Sequence, residues 1–391
     1  MWTNFVLNGQ GTGEVAQALG NVNFDAGLMR PWIGTDGKRY VTINTHRTET
    51  RKGSDGQLIR NSEGVALEFP VYEDVLIKDL VDNYDINVPV HNATALSKQQ
   101  WQLLDTRIIK AARQRLRAWA DLSAASPFAV DGMTASILEH ETLTDDGEAT
   151  VDMDGLADQP SDASNSNLEG LPLPITQSGF WYARRQLEIS RSRGNSLRTV
   201  RAEQAGRRVA ETVEKTLIGT LAGMQYGKTA DYGRTPKVYG YTNFPDRTTK
   251  TDLTASASAT GEQIVDDVIA MRELAYAANF YGPFALYVST GYDAKLDDDF
   301  KSNSDKTTRQ RLREIDGINT VRRLDFLTGD VMILVQMTSE VAEAVNGMAL
   351  NTIQWESKGG WRLDFKTMAI YVPSLKADAD GNCGIVHGTT S

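Results

Sequence analysis

With one cysteine in 391 residues, Cys383, the chain can form no internal disulfide, so no covalent staple holds its fold. Histidine is nearly as scarce, at four scattered positions, which argues against a zinc site assembled from several imidazoles and thiolates. No apolar run approaches the roughly 18 to 20 residues that a membrane-spanning helix needs. Met1 to Phe5 lacks the basic-then-apolar order of a secretory leader, and the expectation is a soluble protein made in the cytoplasm. Basic charge is not in excess either. A formal net charge of -10 is the wrong sign for a protein whose main task is to grip phosphates, though not for a container that holds nucleic acid without adhering to it.

What is present is the composition of an ordinary globular chain, 40% hydrophobic and 24% charged, long enough for two or three domains with real cores. The charge is unevenly placed. Residues 139 to 169 carry ten carboxylates and no Lys or Arg, among them Asp145, Asp146, Asp152, Asp154 and Asp158. That stretch accounts for the whole net charge. Residues 184 to 208 then carry eight arginines: Arg184, Arg185, Arg191, Arg193, Arg198, Arg201, Arg207 and Arg208. An acidic, Gly- and Ser-containing stretch of this kind cannot bury itself in its own domain and needs water or a basic partner surface. Each copy of the chain offers such a surface. The carboxylates and arginines named here are therefore the candidate inter-subunit contacts, and self-assembly is the expectation.

Periodicity organises the rest. Residues 1 to 35, rich in Gly and Asn, read as an extended arm, and 39 to 77 as a small hairpin element. From the N-cap candidate Ser97, apolar residues three or four apart (Trp101, Leu104, Ile108, Ala112, Leu116, Trp119) predict one helix to Leu122 with a basic opposite side. That basic side reads first as a solvated face, then as a contact with a neighbouring subunit, and last as a nucleic-acid surface. The longest helix is predicted from Asn195 or Ser196 to Leu221, about 39 Å at 1.5 Å per residue. Further on, 262 to 280 reads as an amphipathic helix, Phe284 to Val288 and Val331 to Met337 as buried strands, and 306 to 315 as a charged helix, with alternating strand patterns from Ile353 to Val372.

No motif gives an enzyme reading firm support. Ala222 to Thr229 fits a relaxed phosphate-loop pattern, but a long helix enters it and Pro236 lies soon after, whereas phosphate cradling needs a strand entering and a helix leaving. Asp378, Asp380 and Asn382 look like the start of a calcium loop whose twelfth position, Thr389, is not acidic, so a turn is expected. Cys383 and His387 are close in sequence but have no legible orienting group or oxyanion site. No catalytic, cofactor-binding or metal-ligating residue is expected.

The order of parts nonetheless resembles a known family, the major capsid proteins of tailed bacteriophages with the Hong Kong 97 fold, and their relatives the encapsulins. The resemblance runs over residues 96 to 388. It is carried by Ser97 to Trp101 with Arg113 to Arg117, by Phe180 to Leu187, by Tyr281 to Ser289, by Arg313 to Ile318, and by Ile353 to Glu356, set around one acidic excursion and one long helix. It implies an α+β fold: an N-terminal arm with a small β element (1–95), an N-terminal helix region (96–138), an extended acidic loop reaching over a neighbour (139–178), a peripheral domain with its spine helix (179–229), an axial domain whose tips meet in pentamers and hexamers (230–340), and returning peripheral strands (341–391). It further implies a non-enzymatic shell protein of the virion, assembled in the host cytoplasm around double-stranded DNA touched non-specifically. The expected partners are other copies of the chain together with scaffolding, portal and decoration proteins. An encapsulin-like compartment around a cargo enzyme is the alternative. Encapsulins begin near the equivalent of Trp101, so the residues that precede it here favour the phage reading, and the lack of a coiled-coil prefix predicts a separate scaffold or none.

Overall fold

The computed structural model describes residues 32–34, 36, 38–50, 68–78, 96–143, 153, 166–192, 199–228, 232, 235–301, 305–378 and 381–390. The chain divides into two compact units, 1–112 with 177–209 and 350–369, and 113–176 with 210–349 and 370–391. No helix is long and apolar enough to cross a membrane among the described residues.

The first unit opens with a four-stranded sheet of β1 (Trp32–Ile33), β2 (Arg39–Thr50), β3 (Glu68–Leu76) and β4 (Leu96–Ser97), in the order β3-β2-β1-β4. The hairpin expected over 39 to 77 is β2 against β3, antiparallel from Tyr40↔Leu76 to Thr50↔Glu68. Helix α1 (Lys98–Arg113) follows β4 directly. Its stripe of Trp101, Leu104, Ile108 and Ala112 is buried, as a face recurring every three or four residues must be. That stripe packs with Phe180 and Tyr182 of β8 (Thr176–Ala183), Leu187 of α3 (Arg184–Ser192), Ala202 and Ala205 of α4 (Val200–Ile218), and Leu363 and Phe365 of β14 (Arg362–Leu375). Small residues let α4 approach: a Cβ on Gly206 would lie 2.8 Å from Ile108 Cγ2 and 2.9 Å from the Ile108 carbonyl.

The second unit is built on a five-stranded sheet, order β11-β10-β12-β15-β9, of β9 (Thr248–Lys250), β10 (Phe284–Val288), β11 (Ile318–Arg323), β12 (Val331–Gln336) and β15 (Ile385–Thr389). Period-two alternation divides its two faces. Phe284, Leu286, Val288, Met332, Leu334 and Val386 join one core with Ile264, Val268 and Met271 of α5 (Gly261–Ala277), Tyr292 and Leu296 of α6 (Thr290–Asp297) and Leu312 of α7 (Thr308–Arg313). Ala285, Tyr287, Ile333, Val335 and Ile385 join the other, with Trp119 and Leu122 of α2 (Ala118–Ala125) and Val213, Leu217 and Ile218 of α4. Both faces are covered, which is why β10 and β12 read as continuous apolar runs. Capping boxes at Thr260/Gln263 and Thr307/Gln310 start α5 and α7.

Four sequence expectations change. The helix from Trp101 is two helices, broken at residues 114–117. The buried Glu214 carboxyl accepts N–H bonds from Arg117 (3.2 Å), Ala118 (2.7 Å) and Trp119 (3.2 Å), so a side chain ninety-odd residues away in sequence caps the start of α2. Helix α4 ends at Ile218, three residues earlier than the pattern, because Gly219 takes φ +94° and its space is closed by Thr242, where only glycine fits. It also starts later than the expected Asn195 or Ser196, at Val200 with the described Thr199 outside the helix, while residues 195 and 196 themselves lie outside the described residues. The sequence pattern also misses α6, whose eight residues are too few to display a period. Finally, Ile385 to Thr389, expected among the returning strands, pairs with β12 from Val331↔Thr389 to Val335↔Ile385 and so belongs to the five-stranded sheet.

β13 (Ala342–Ser357) and β14 form a long hairpin that runs through both units, turned at 358–360 where Lys358, Gly359 and Gly360 have φ of 51°, 63° and 83°. In the first unit β8 adds to its edge; in the second β5 (Pro127–Ala129) does.

Candidate functional site

The acidic stretch is held at its two ends by a hairpin of the second unit. β6 (Ile137–Leu143) and β7 (Ser166–Pro172) pair antiparallel from Ile137↔Pro172 to Leu143↔Ser166. Leu171 and Leu173 fix its base by packing with Val238, Val345, Ile370 and Val372. His140 and Glu169, opposite each other across the ladder, lie 3.5 Å apart, and Tyr232 donates to Glu139 at 2.9 Å. Glu139 and Glu141 are exposed. The hairpin register thus hands the chain over at Leu143 and takes it back at Ser166, with 144–165 as its connection. Asp145, Asp146, Asp152, Asp154 and Asp158 lie outside the described residues. Met153 between them is described, and is 98% exposed.

The arginine cluster lies on the first unit. Arg193 and Arg198 are outside the described residues; Arg191 falls in α3 but its side chain is not described. Arg184, half-buried, and Arg185, exposed, open α3, where the Arg184 N–H donates to the Trp361 carbonyl at 3.0 Å. Neither guanidinium forms an ion pair among the described residues. Arg201, on α4, reaches back to β8. Its Nη1 donates to the Trp181 carbonyl at 2.7 Å, and its guanidinium carbon sits 5.2 Å from the Trp181 ring and 5.8 Å from that of Tyr182. Burial pushes the Tyr182 hydroxyl up to about 12, so this tyrosine is neutral under all ordinary conditions.

A residue the sequence reading overlooked completes the surface. Arg362 lies 4.8 Å over the same Trp181 ring, its Nε donating to Asp364 Oδ1 at 2.7 Å, while Ser357 donates to the other oxygen of that carboxylate. Two guanidiniums are thus fixed over one indole that is 42% exposed, and Trp361 beside them is 69% exposed. These exposed aromatic rings beside fixed guanidiniums make this surface the candidate contact site. A sequence signal existed: Leu363 and Phe365 alternate inward, which turns Arg362 to the other side of the strand.

The remaining candidates resolve into structural roles. In 222–229, Gly223 lies against the Val238 backbone so closely that a Cβ would be 1.6 Å from its carbonyl oxygen, and Val238 N donates to the Met224 carbonyl at 3.0 Å. No helix leaves this segment among the described residues, and so the phosphate-loop geometry is not formed. Asp378 uses both carboxylate oxygens on Asn382, at 2.6 Å and 3.1 Å, closing a turn; Asp380 is outside the described residues. Cys383 Sγ is directed to the Lys376 carbonyl at 3.3 Å, whereas His387 Nδ1 accepts from Arg247 Nε at 3.2 Å. Burial and the Arg247 charge push the His387 imidazole down to about 4, holding it neutral. These two residues do not form a nucleophile–base pair.

Among solved structures, the chain is similar to a virus-like particle from Pyrococcus furiosus (14% identity, 73% of this chain and 98% of that one, TM-score 0.52). It is also similar to the capsid of Myoviridae phage XM1 (11% identity, 69% and 91%, TM-score 0.53) and to the capsid of a native GTA particle (11% identity, 71% and 91%, TM-score 0.50). No curated protein matches the chain. At these identities the likeness establishes architecture, and that architecture is the Hong Kong 97-type fold expected from the order of parts. One family model covers residues 91 to 388, so this Hong Kong 97-fold chain belongs to the family of unknown function DUF6260.

Proposed function

We propose that this chain is a major capsid protein, whose copies assemble as pentamers and hexamers into the closed head of a tailed phage around double-stranded DNA. The observation that carries the reading is a fold shared with shell-forming proteins over nine-tenths or more of their length, combined with two surfaces that make sense only between molecules. One is a seven-carboxylate connection at the end of the 137–172 hairpin; the other is a cationic, aromatic surface at Arg184, Arg185, Arg201 and Arg362. The role in this reading is structural, and among the described residues Cys383 and His387 are each engaged with other partners, the Lys376 carbonyl and Arg247. In this reading the five-stranded-sheet region is the axial domain, the core around α1 and α4 the peripheral domain, and 139–178 the extended loop. The virus-like particle supports a shell without settling its contents, so an encapsulin-like compartment is the second reading. Nucleic acid recovered from purified native particles supports the first, a co-purifying enzyme the second.

Exposed ion pairs contribute about 0 to 1 kcal/mol each, so their effect here is on register and association, repeated at every subunit. Reversing Arg184 and Arg185 to Glu changes four charges per subunit. An added cost near 1.4 kcal/mol per contact raises the critical assembly concentration by about tenfold. Light scattering on a dilution series is expected to show that rise at low salt and a smaller one at 1 M salt, where screening shortens to about 3 Å. Equal assembly of variant and parent at low salt would remove these arginines from the contact.

A further inference from the structure

The root of the β6–β7 hairpin borders a cleft of about 360 Å³ whose lining residues all belong to the second unit. His140 and Glu169 line it from the two strands, Thr235, Lys237 and Tyr239 from the segment before β9, and Ser374 from the end of β14. The ladder register brings the first pair together, since His140 lies opposite Glu169 and their side chains share one face. Glu139 and Glu141 turn to the other, exposed face.

The pair is closely placed but not bonded. The two side chains are 22% and 19% exposed, and Glu169 Oε2 stands 3.5 Å from His140 Nε2. That nitrogen is buried and has no hydrogen-bond partner. A direct N–H to oxygen bond is shorter, at about 2.7 to 3.2 Å. Two ligands of a tetrahedral zinc ion, an imidazole nitrogen at about 2.0 to 2.1 Å and a carboxylate oxygen at about 2.0 to 2.2 Å, stand roughly 3.3 to 3.5 Å apart. The observed spacing fits the second geometry. The cleft beside the pair has room for the water ligands that complete such a shell. No group of three or more His, Cys, Asp or Glu side chains forms a metal cage among the described residues, so the site is an open one.

We infer that His140 and Glu169 together bind one divalent transition-metal ion of the zinc type, which clips β6 to β7 at the root of the hairpin. The neutral imidazole gives its Nε2 lone pair, and the carboxylate cancels one of the two positive charges. An anion is the other ligand to weigh, because Lys237 forms no ion pair among the described residues and its ammonium sits 5.3 Å from the Tyr239 ring centre. Glu169 decides between them: an anion at His140 meets that carboxylate, whereas a cation uses both side chains. The inference is independent of the shell reading.

The test is a calorimetric titration of the full-length protein with zinc chloride in phosphate-free buffer. One site per chain is expected, weakened about tenfold or more in Glu169→Gln and in His140→Gln, a loss at least as large as removing a supporting partner costs. The metal-free melting midpoints of both variants are expected to stay close to the parent's. X-ray absorption on the zinc-loaded parent, which needs no variant, is expected to show one imidazole with oxygen neighbours at about 2.0 Å and no sulfur. Equal zinc affinity in parent and variants, or a zinc shell without imidazole, would overturn the assignment. So would the absence of any binding, which leaves an ordinary cross-strand ion pair. Inorganic phosphate that raises the melting midpoint of the parent and of Glu169→Gln, but not of Lys237→Ala, would overturn it in favour of an anion.

Discussion

Replacing Phe365 with Ala is expected to lower stability by about 4 kcal/mol, among the largest losses available to a single side chain in this molecule. Phe365 is fully buried and central to the aromatic core of the first unit. Its ring stacks on Phe180 at 5.0 Å with planes 3° apart and meets Trp101 and Tyr182 edge-on at 6.0 and 5.8 Å. The loss has two parts, apolar area returned to water and a cavity that α1, β8 and β14 cannot close without moving together. Each ring pair adds about 0.5 to 1.5 kcal/mol beyond area. The Arg201–Trp181 contact is carried by β8, the strand that Phe365 supports, so the variant is expected to assemble poorly as well as unfold earlier. Denaturant unfolding gives the first number, and light scattering the second. A loss below about 1 kcal/mol would mean that this core is loosely packed.

The second large effect is a pH dependence centred on Glu214. Burial pushes its carboxyl up to about 7 against the pull of three backbone N–H donors, and Asp121 nearby raises it further. The native state therefore holds a proton that the unfolded chain has released between about pH 4.5 and 7, so stability falls as pH rises through that window, by up to about 3 kcal/mol. His387 acts in the opposite sense. Its imidazole is held down to about 4, so between about 4 and 6.5 the unfolded chain binds the extra proton and stability rises with pH. Opposed slopes leave the parent nearly flat below pH 6.5, with a decline from there to pH 7. Glu214→Gln removes one of them. It is expected to show a clear rise in stability from pH 4 to 6.5 and no decline above it, on a baseline about 1 to 2 kcal/mol lower because an amide oxygen serves three donors less well than a carboxyl. Glu214→Ala, which takes this acceptor from the Ala118 and Trp119 N–H groups and leaves Arg117 N–H only the Arg115 carbonyl at 3.1 Å, is expected to cost about 3 kcal/mol at pH 5. Unfolding midpoints at half-unit pH steps decide it; identical pH profiles for parent and Gln variant would reject a titrating Glu214.

Much of this architecture was written in local patterns. The buried strands Phe284 to Val288 and Val331 to Gln336, the α5 stripe and the Trp101 stripe are runs whose period alone selects their face. What was hidden depends on partners distant in sequence. The break between α1 and α2 is set by Glu214, nearly a hundred residues later, and no pattern around Gln114 announces it. The end of α4 is set by Thr242 and Gly240 closing on Gly219. Ile385 to Thr389 reads as one more strand of a terminal series, and only its pairing with β12 places it in the five-stranded sheet. Of the candidate surface, charge runs point to the acidic stretch and the arginines, whereas Arg362 stands alone in sequence and enters through a strand that folds back beside Trp181. An ion cluster of Arg309 and Arg323 on Asp293 was equally invisible, its members spread over α6, α7 and β11.

Whether this chain completes its contacts only against other copies of itself is decided by cryo-electron microscopy of the purified protein. Closed icosahedral particles are expected, in which density for 144–165 of each subunit crosses onto a neighbour. Monodisperse 43.0 kDa monomers at every salt concentration, or particles in which that density returns to its own subunit, would contradict it.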